Sequence, residues 1–266
     1  TWKKQLNIPI EPVDTVWQQR ILERLYARLA QTRDLPNVQI SMLGGEPTLM
    51  TSTYDMLEDI LPHLEHHAHK PTISFCTNLN TGDKLMQRFL DTMERTREKV
   101  NWSIGVSMEA EGRRAELIRT GLNFRRFTDN LQRTSLSATR IYITCTHNYL
   151  TVPHFHDFVD WLYDIMPIPY NTGSDTDAWW DFTNNSVTQG ALSVDYIDPV
   201  DVPWQTIYDT LDRKGVAAPV KQHLENIRQR SGRSPDEIFL KGVQQLVLRD
   251  PELLEYFPHL RPHVTL

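Results

Sequence analysis

Only two cysteines, Cys76 and Cys145, occur among the 266 residues. They lie far apart, each inside a stretch read as a strand, which excludes a disulfide framework or a CxxC pair and points to a reducing, cytoplasmic setting. No apolar run approaches the ~18 residues of a membrane span, and no signal-peptide pattern opens the chain. Basic charge is in deficit: 28 Lys and Arg against 34 Asp and Glu give a net charge of −6. That argues against a general nucleic-acid or anionic-membrane surface. There is no Walker loop, zinc-type Cys/His spacing, GxSxG elbow or dinucleotide fingerprint, so the usual NTPase, hydrolase and dehydrogenase readings lack support. What is present, 39% hydrophobic and 23% charged residues, is a globular composition in a chain long enough to bury a substantial core.

The most informative stretch is ISMLGGEPTL, residues 40–49. Val38, Ile40 and Met42 alternate as in a strand, and the run then stops at Gly44, Gly45, Glu46 and Pro47. Adjacent glycines permit backbone angles and close approach that side chains forbid, while Pro47 stiffens the exit. Glu46 at that mouth suits a ligand bearing an ammonium group; a plain strand-to-helix turn with a solvated Glu is the alternative.

Around it the chain alternates. Asp14 is placed to cap a helix carrying Val16, Trp17, Ile21, Leu22, Leu25, Tyr26 and Leu29 at helical spacing. After the strand at 38–43 comes a helix from about Ser52, then the strand TISFCT (72–77) ending at Thr77 and Asn78, and a helix from Asp83. WSIGVS (102–107) ends near Ser107, Glu109 and Glu111; a helix on Phe124, Phe127 and Leu131 leads to RIYITCT (140–146), ending at His147 and Asn148, and to a helix on Phe155, Phe158, Val159 and Leu162. Such alternation at roughly 30–40 residues per unit implies a parallel sheet with right-handed crossovers. Ligands sit at the C-terminal edge of such sheets, so Glu46, Asn78, Ser107, Glu109 and Asn148 are expected to converge. The pattern breaks over 167–190, which reads as a mobile or substrate-facing lid, and resumes with a fifth strand at 192–197. The remainder reads as helical, including a helix capped by Ser234 with Pro235 at its first position and Ile238, Leu240, Val243, Leu246 and Val247 at helical spacing. The expected division is a barrel-like unit over 1–198 and a helical extension over 199–266.

Taken together, Gly44-Gly45-Glu46-Pro47, Thr77-Asn78, Ser107-Met108-Glu109-Ala110, Arg119-Thr120-Gly121 and Thr146-His147-Asn148 resemble, in order, the motifs of radical S-adenosylmethionine (SAM) enzymes. The likeness is to the peptide-modifying members that carry a C-terminal auxiliary-cluster extension of the SPASM or twitch type. It implies an α/β fold, a partial (β/α)6 TIM-like barrel. It also implies reductive cleavage of SAM to a 5′-deoxyadenosyl radical that abstracts hydrogen from a peptide or protein substrate, with a reductant as further partner. By the resemblance, Glu46 binds the SAM ammonium, Arg119 its carboxylate, Ser107 and Glu109 approach the ribose, and Asn148 lies near the adenine. Met-Glu-Ala departs from the family's Leu-Asp-Gly, so the longer Glu109 has to reposition.

The family's [4Fe–4S] cluster is held by three thiolates in a CxxxCxxC loop after the first strand, and no such loop is present. Two cysteines in two later strands do not replace it, so no metal ligand is assigned in this chain. The resemblance places the first strand and its loop ahead of Thr1, where they are expected to be lost from the chain. The alternative is a cluster-free relative acting as a binding or structural protein. A third reading is an unrelated α/β-barrel enzyme using Glu46 and Glu109 as acid and base.

Other groups are read as structural. His63, His66, His67 and His69 form a solvated helix end, and Cys76 and Cys145 are buried core residues. His147, His154 and His156 are weaker candidates for touching substrate. Arg113, Arg114, Arg119, Arg125, Arg126, Arg133 and Arg140 are read mainly as a solvated face paired with Glu111, Glu116 and Asp129, and Trp179-Trp180 as a packed loop anchor.

Overall fold

The computed structural model describes residues 15–42, 45–171, 178–190 and 192–264. Helix α1 (Thr15–Gln31) leads to β1 (Gln39–Met42), a 3-10 turn (Pro47–Leu49) and α2 (Thr51–Leu64). Then come β2 (Thr72–Thr77), α3 (Asp83–Thr96), β3 (Asn101–Ser107), α4 (Gly112–Ile118), α5 (Phe124–Ser137), β4 (Arg140–His147) and α6 (Phe155–Ile165). After β5 (Trp179–Ser186) the chain is helical: α7 (Trp204–Arg213), α8 (Ala218–Arg230), α9 (Glu237–Arg249), α10 (Leu253–Tyr256) and a last 3-10 segment (Pro258–His263). Asp14, Leu43, Gly44 and the stretch 172–177 lie outside the described residues.

The sheet has the order β1-β2-β3-β4-β5, every neighbour parallel. Sequential parallel pairing requires a crossover after each strand, and α2, α3, α4–α5 and α6 supply them. Side chains alternate across the sheet. One face carries Met42, Ile73, Phe75, Trp102, Ile104, Val106, Ile141, Ile143, Trp180 and Phe182, all buried. The helices cover it: Phe89 of α3 packs edge-on against Phe75 and Trp102, with centroids 5.3 and 6.0 Å apart. Leu57, Ile60 and Leu64 of α2, Met86, Phe89 and Met93 of α3, and the expected Phe155, Phe158, Val159 and Leu162 of α6 are buried there, and the same hydrophobic core continues through Val220, Phe239, Val243 and Leu260 of the C-terminal segments.

The opposite face is polar. Register places Ser41, Ser74, Ser103 and Arg140 side by side, followed by Cys76, Gly105, Tyr142 and Asp181, then Ser107, Thr144 and Thr183. Parallel sheets are normally covered on both faces and read as continuous apolar runs. Here the strands alternate instead, and the polar face is mostly half-exposed.

Several expectations are corrected. The fifth strand is Trp179–Ser186, not 192–197, which contains a 3-10 turn whose N-cap Ser193 accepts from Asp195 N–H. Part of the expected lid is therefore sheet. Trp180 is buried against Tyr163 and Tyr170, while Trp179 stands on the polar face beside Tyr142 with Arg140 over its ring. Cys145 is buried, but Cys76 lies on the polar face, half-exposed. The cap of α9 is Asp236 rather than Ser234, accepting from Phe239 N–H at 3.0 Å. That rotates Phe239 inward and leaves Ile238 exposed. Among the arginines, Arg113 and Arg114 do pair with Glu116 and Glu111, and Arg113 also reaches Glu252 of the C-terminal segment. Asp129 takes part in none of the described ion pairs.

Candidate functional site

Gly45 has φ +61, a left-handed conformation that disfavours other residues, and it turns the chain so that Glu46 caps the Pro47–Leu49 turn. The Glu46 carboxylate is then held by its own 3-10 turn and by the end of β2. Its Oε1 accepts from the Thr48 hydroxyl at 2.7 Å, from Thr48 N–H at 3.4 Å and from the Thr77 hydroxyl, while among the described residues Oε2 accepts only from Asn78 N–H, at 2.7 Å. Each hydroxyl has one proton. With Thr48 donating to Glu46, the 2.5 Å contact between Thr48 and Thr81 runs from Thr81 to Thr48. Thr48, Thr77 and Thr81 are all buried, so Glu46 is fixed by a desolvated hydroxyl cluster and keeps a free acceptor position on Oε2. Tyr54 braces the turn through its hydroxyl on the Thr48 carbonyl, 2.8 Å, and burial pushes that phenol up to about 12.

The loop after β2 is under strain that the surroundings hold. Leu79 is fully buried with φ +49, unusual for a residue with a bulky side chain. Asn130 of α5 donates to the carbonyls of Leu79 and Thr81 at 2.8 and 2.9 Å, Asn78 Oδ1 accepts from Asn80 N–H, and Asn80 reaches the Gly121 carbonyl. Thr48 and Thr81 were not among the residues singled out in the sequence; Asn130, with Leu131, belongs to the stretch that resembles the family's helix, but its clamp on the Leu79 and Thr81 carbonyls was not foreseen.

Beyond β3, Glu109 is buried and paired with Arg119 at 2.5 Å. Burial raises the Glu109 carboxyl, and the guanidinium offsets part of that rise. Arg119 Nε is buried without a partner. Ser107 is half-exposed with Cys76 Sγ 3.8 Å away, and Cys145, close enough to sense Glu109 and Arg119, has its thiol pushed up by burial. Asn148 is buried and committed to its own turn, accepting from Leu150 N–H and donating to the Thr146 carbonyl. The expected residues thus stand at the C-terminal ends of successive strands. Glu46, Thr77 and Asn78 are bonded directly, Glu109 and Arg119 form a second group, and Asn148 serves the backbone.

At the ends of β4 and β5, His147 is fully buried, with Nε2 2.8 Å from Asn184 Oδ1 and its ring against Phe155. His223 of α8 meets Ser186 Oγ at 2.9 Å. Burial lowers His147 to about 4. The unfolded chain therefore takes up this proton first on acidification, so the stability contribution is complete above about pH 6.5 and is lost as pH falls through about 4. On the order of 3 kcal/mol is expected to disappear over that window, and His147→Gln should flatten the acid limb of a urea-denaturation pH series by about one proton.

Among the described residues, no group of three or more His, Cys, Asp or Glu side chains is arranged to hold a metal ion. Comparison with protein-family models and with curated proteins finds no match for this chain.

Proposed function

We propose that this chain is the SAM-holding part of a radical SAM enzyme, its five consecutive parallel strands belonging to a partial (β/α)6 barrel whose polar interior is the open sheet face. The observation that carries the reading is Glu46: a carboxylate at the C-terminal edge of β1, oriented by Thr48, Thr77 and Asn78 and retaining an acceptor position. Such a group suits the SAM ammonium, which brings three donors and a charge. The partnerless N–H of Arg119 suits the SAM carboxylate, and Ser107 faces the same polar side for the ribose. Asn148, with its side chain engaged, shapes the wall near the adenine rather than reading it. A peptide or protein substrate would lie across the hydroxyl-lined face.

Bound SAM supplies a sulfonium whose reductive cleavage gives the family its radical chemistry. The iron–sulfur cluster that drives this step does not fit the residues present: Cys76 and Cys145 point to opposite faces of the sheet, and Cys145 is fully buried. The work of this chain is to bind and orient SAM. The same cysteine placement favours, as second reading, a cluster-free SAM-binding protein. 5′-Deoxyadenosine formation under a reductant by the full-length gene product, reconstituted with iron and sulfide, separates the two, since only the first reading expects it. For both, Glu46→Gln is expected to weaken SAM binding about 10- to 100-fold, the worth of a charge-assisted hydrogen bond. Equilibrium dialysis with labelled SAM checks this; unchanged affinity would remove Glu46 from the site.

A further inference from the structure

The open face of the sheet carries a cleft of about 440 Å3 in the N-terminal halves of its strands, roughly 10 Å along β2 from Thr77 and the Glu46 group. Register sets Ser41, Ser74, Ser103 and Arg140 in one row across four strands, and Tyr142 and Thr183 line the cleft from the rows above. Neighbouring strands lie about 4.8 Å apart, so Ser103 and Arg140 flank a space the size of one small group.

This lining has donors to spare and no carboxylate. Gln39 donates to Ser41 Oγ and Ser74 Oγ at 3.2 and 3.1 Å, and Ser74 donates its own proton to Ser41 at 2.8 Å. Each hydroxyl has one proton, so that of Ser41 is left without an acceptor among the described residues. Ser103 is only 8% exposed, yet its hydroxyl takes part in none of the described hydrogen bonds and stays open to the cleft that it lines. Buried polar groups ordinarily have partners, and one that faces a cavity without any invites a ligand. Arg140 is the one charged residue of the lining. Its guanidinium stands over the Trp179 ring, 5.6 Å from the centroid, with Tyr142 edge-on to the same ring at 5.3 Å. That stacking orients the guanidinium without neutralising it. Arg140 takes part in none of the described ion pairs. Asp181, in the next row of this face, instead accepts from Phe182 N–H at 2.7 Å and from Asn171 at 3.4 Å.

We propose that this cleft receives a carboxylate, carried either by a small organic acid or by an acidic side chain of a peptide. The planar fork of Arg140 matches the two carboxylate oxygens, and the Ser103 hydroxyl gains the acceptor that the protein does not give it. One unpaired cation balances one carboxylate, whereas a phosphate dianion would keep an uncompensated charge. On the SAM reading the carboxylate belongs to the substrate; as a carboxylate site the cleft stands without that reading, because none of its residues is assigned to SAM.

The test is a titration of the full chain without SAM, at neutral pH and constant ionic strength, followed through the Arg140 Nε–H and the backbone amide resonances of Ser103 and Tyr142. The probes are N-acetyl-glutamate methylamide, its uncharged isostere N-acetyl-glutamine methylamide, butyrate and inorganic phosphate. Saturable shifts are expected with the glutamate derivative and with butyrate, the glutamine derivative binding at least about threefold more weakly. Tighter binding of the glutamate derivative identifies a peptide side chain as the ligand, and tighter binding of butyrate a small acid. Arg140→Gln, at an exposed position that starts β4, is expected to erase the preference for glutamate over glutamine. Ser103→Ala is expected to weaken binding about two- to fivefold with no loss of stability in urea, since the hydroxyl removed has no partner in the protein. No saturation, equal binding of the glutamate and glutamine derivatives, a preference that survives Arg140→Gln, tighter binding of phosphate than of either carboxylate, or a Ser103→Ala variant that loses stability but not affinity would each overturn the proposal. With SAM absent, none of these outcomes depends on whether Glu46 binds it.

Discussion

Replacing Asn130 by leucine is expected to lower the unfolding free energy by about 2–4 kcal/mol. The two residues are similar in size, so the change removes hydrogen bonds without opening a cavity. Asn130 is almost fully buried, and its amide donates to the carbonyls of Leu79 and Thr81. Leucine strands both oxygens, each at about 1–3 kcal/mol. It also frees Leu79 from a conformation that costs on the order of 1 kcal/mol or more and is maintained by this clamp. Relaxation there displaces Thr77, Asn78 and Thr81, the residues that orient Glu46 directly or through Thr48, so SAM affinity should fall together with stability. Urea denaturation gives the first quantity and equilibrium dialysis the second. A loss below about 1 kcal/mol would mean that the clamp is redundant.

Arg119→Met is expected to cost about 2–3 kcal/mol near neutral pH and much less in acid. Removing one partner of a buried ion pair leaves an uncompensated charge, at about 3–5 kcal/mol when both groups are fully buried. Here Glu109 is 7% exposed but Arg119 27%, so the figure is reduced. The sign with pH follows from Glu109. Burial already raises its carboxyl above the ordinary value, and loss of the guanidinium raises it further. A folded-state pKa above the unfolded one means that the native state holds the proton longer. Stability from this group is therefore fully present below the unfolded value near 4.5 and declines as pH rises through the folded value. The variant should match the parent most closely at low pH and diverge as pH rises; a penalty independent of pH would show that the Glu109–Arg119 contact is not electrostatic in effect.

The strands were legible where alternation was strong. TISFCT and RIYITCT carry buried apolar residues at alternate positions, Ile73 and Phe75 in one and Ile141, Ile143 and Cys145 in the other, and both are strands within one residue of the expected bounds. The same alternation also held a fact that strand membership alone does not convey. Counting parity from Phe75 puts Cys76 on the polar face, and counting from Ile143 puts Cys145 in the core. β5 escaped because its second half, Thr183-Asn184-Asn185-Ser186, is polar; only Trp180 and Phe182 are buried, and the ladder to β4 holds the rest at the edge. Residues 192–197 alternate like a strand, but the Ser193 hydroxyl closes a turn before any ladder forms. At the site, glycines and a proline after an apolar run located Glu46. Of its supports, Thr81 acts through Thr48 and Asn130 through the Leu79 and Thr81 carbonyls, long-range hydrogen bonds that leave no period in a sequence.

The measurement that tests the central claim most directly is equilibrium dialysis of the full chain against SAM and, in parallel, against 5′-methylthioadenosine, which keeps the nucleoside but lacks the amino-acid moiety. If Glu46 and Arg119 hold the ammonium and carboxylate, SAM binds at one per chain and methylthioadenosine binds at least about tenfold more weakly, the difference narrowing in Glu46→Gln. No binding of SAM, or equal binding of the two compounds, would contradict the account.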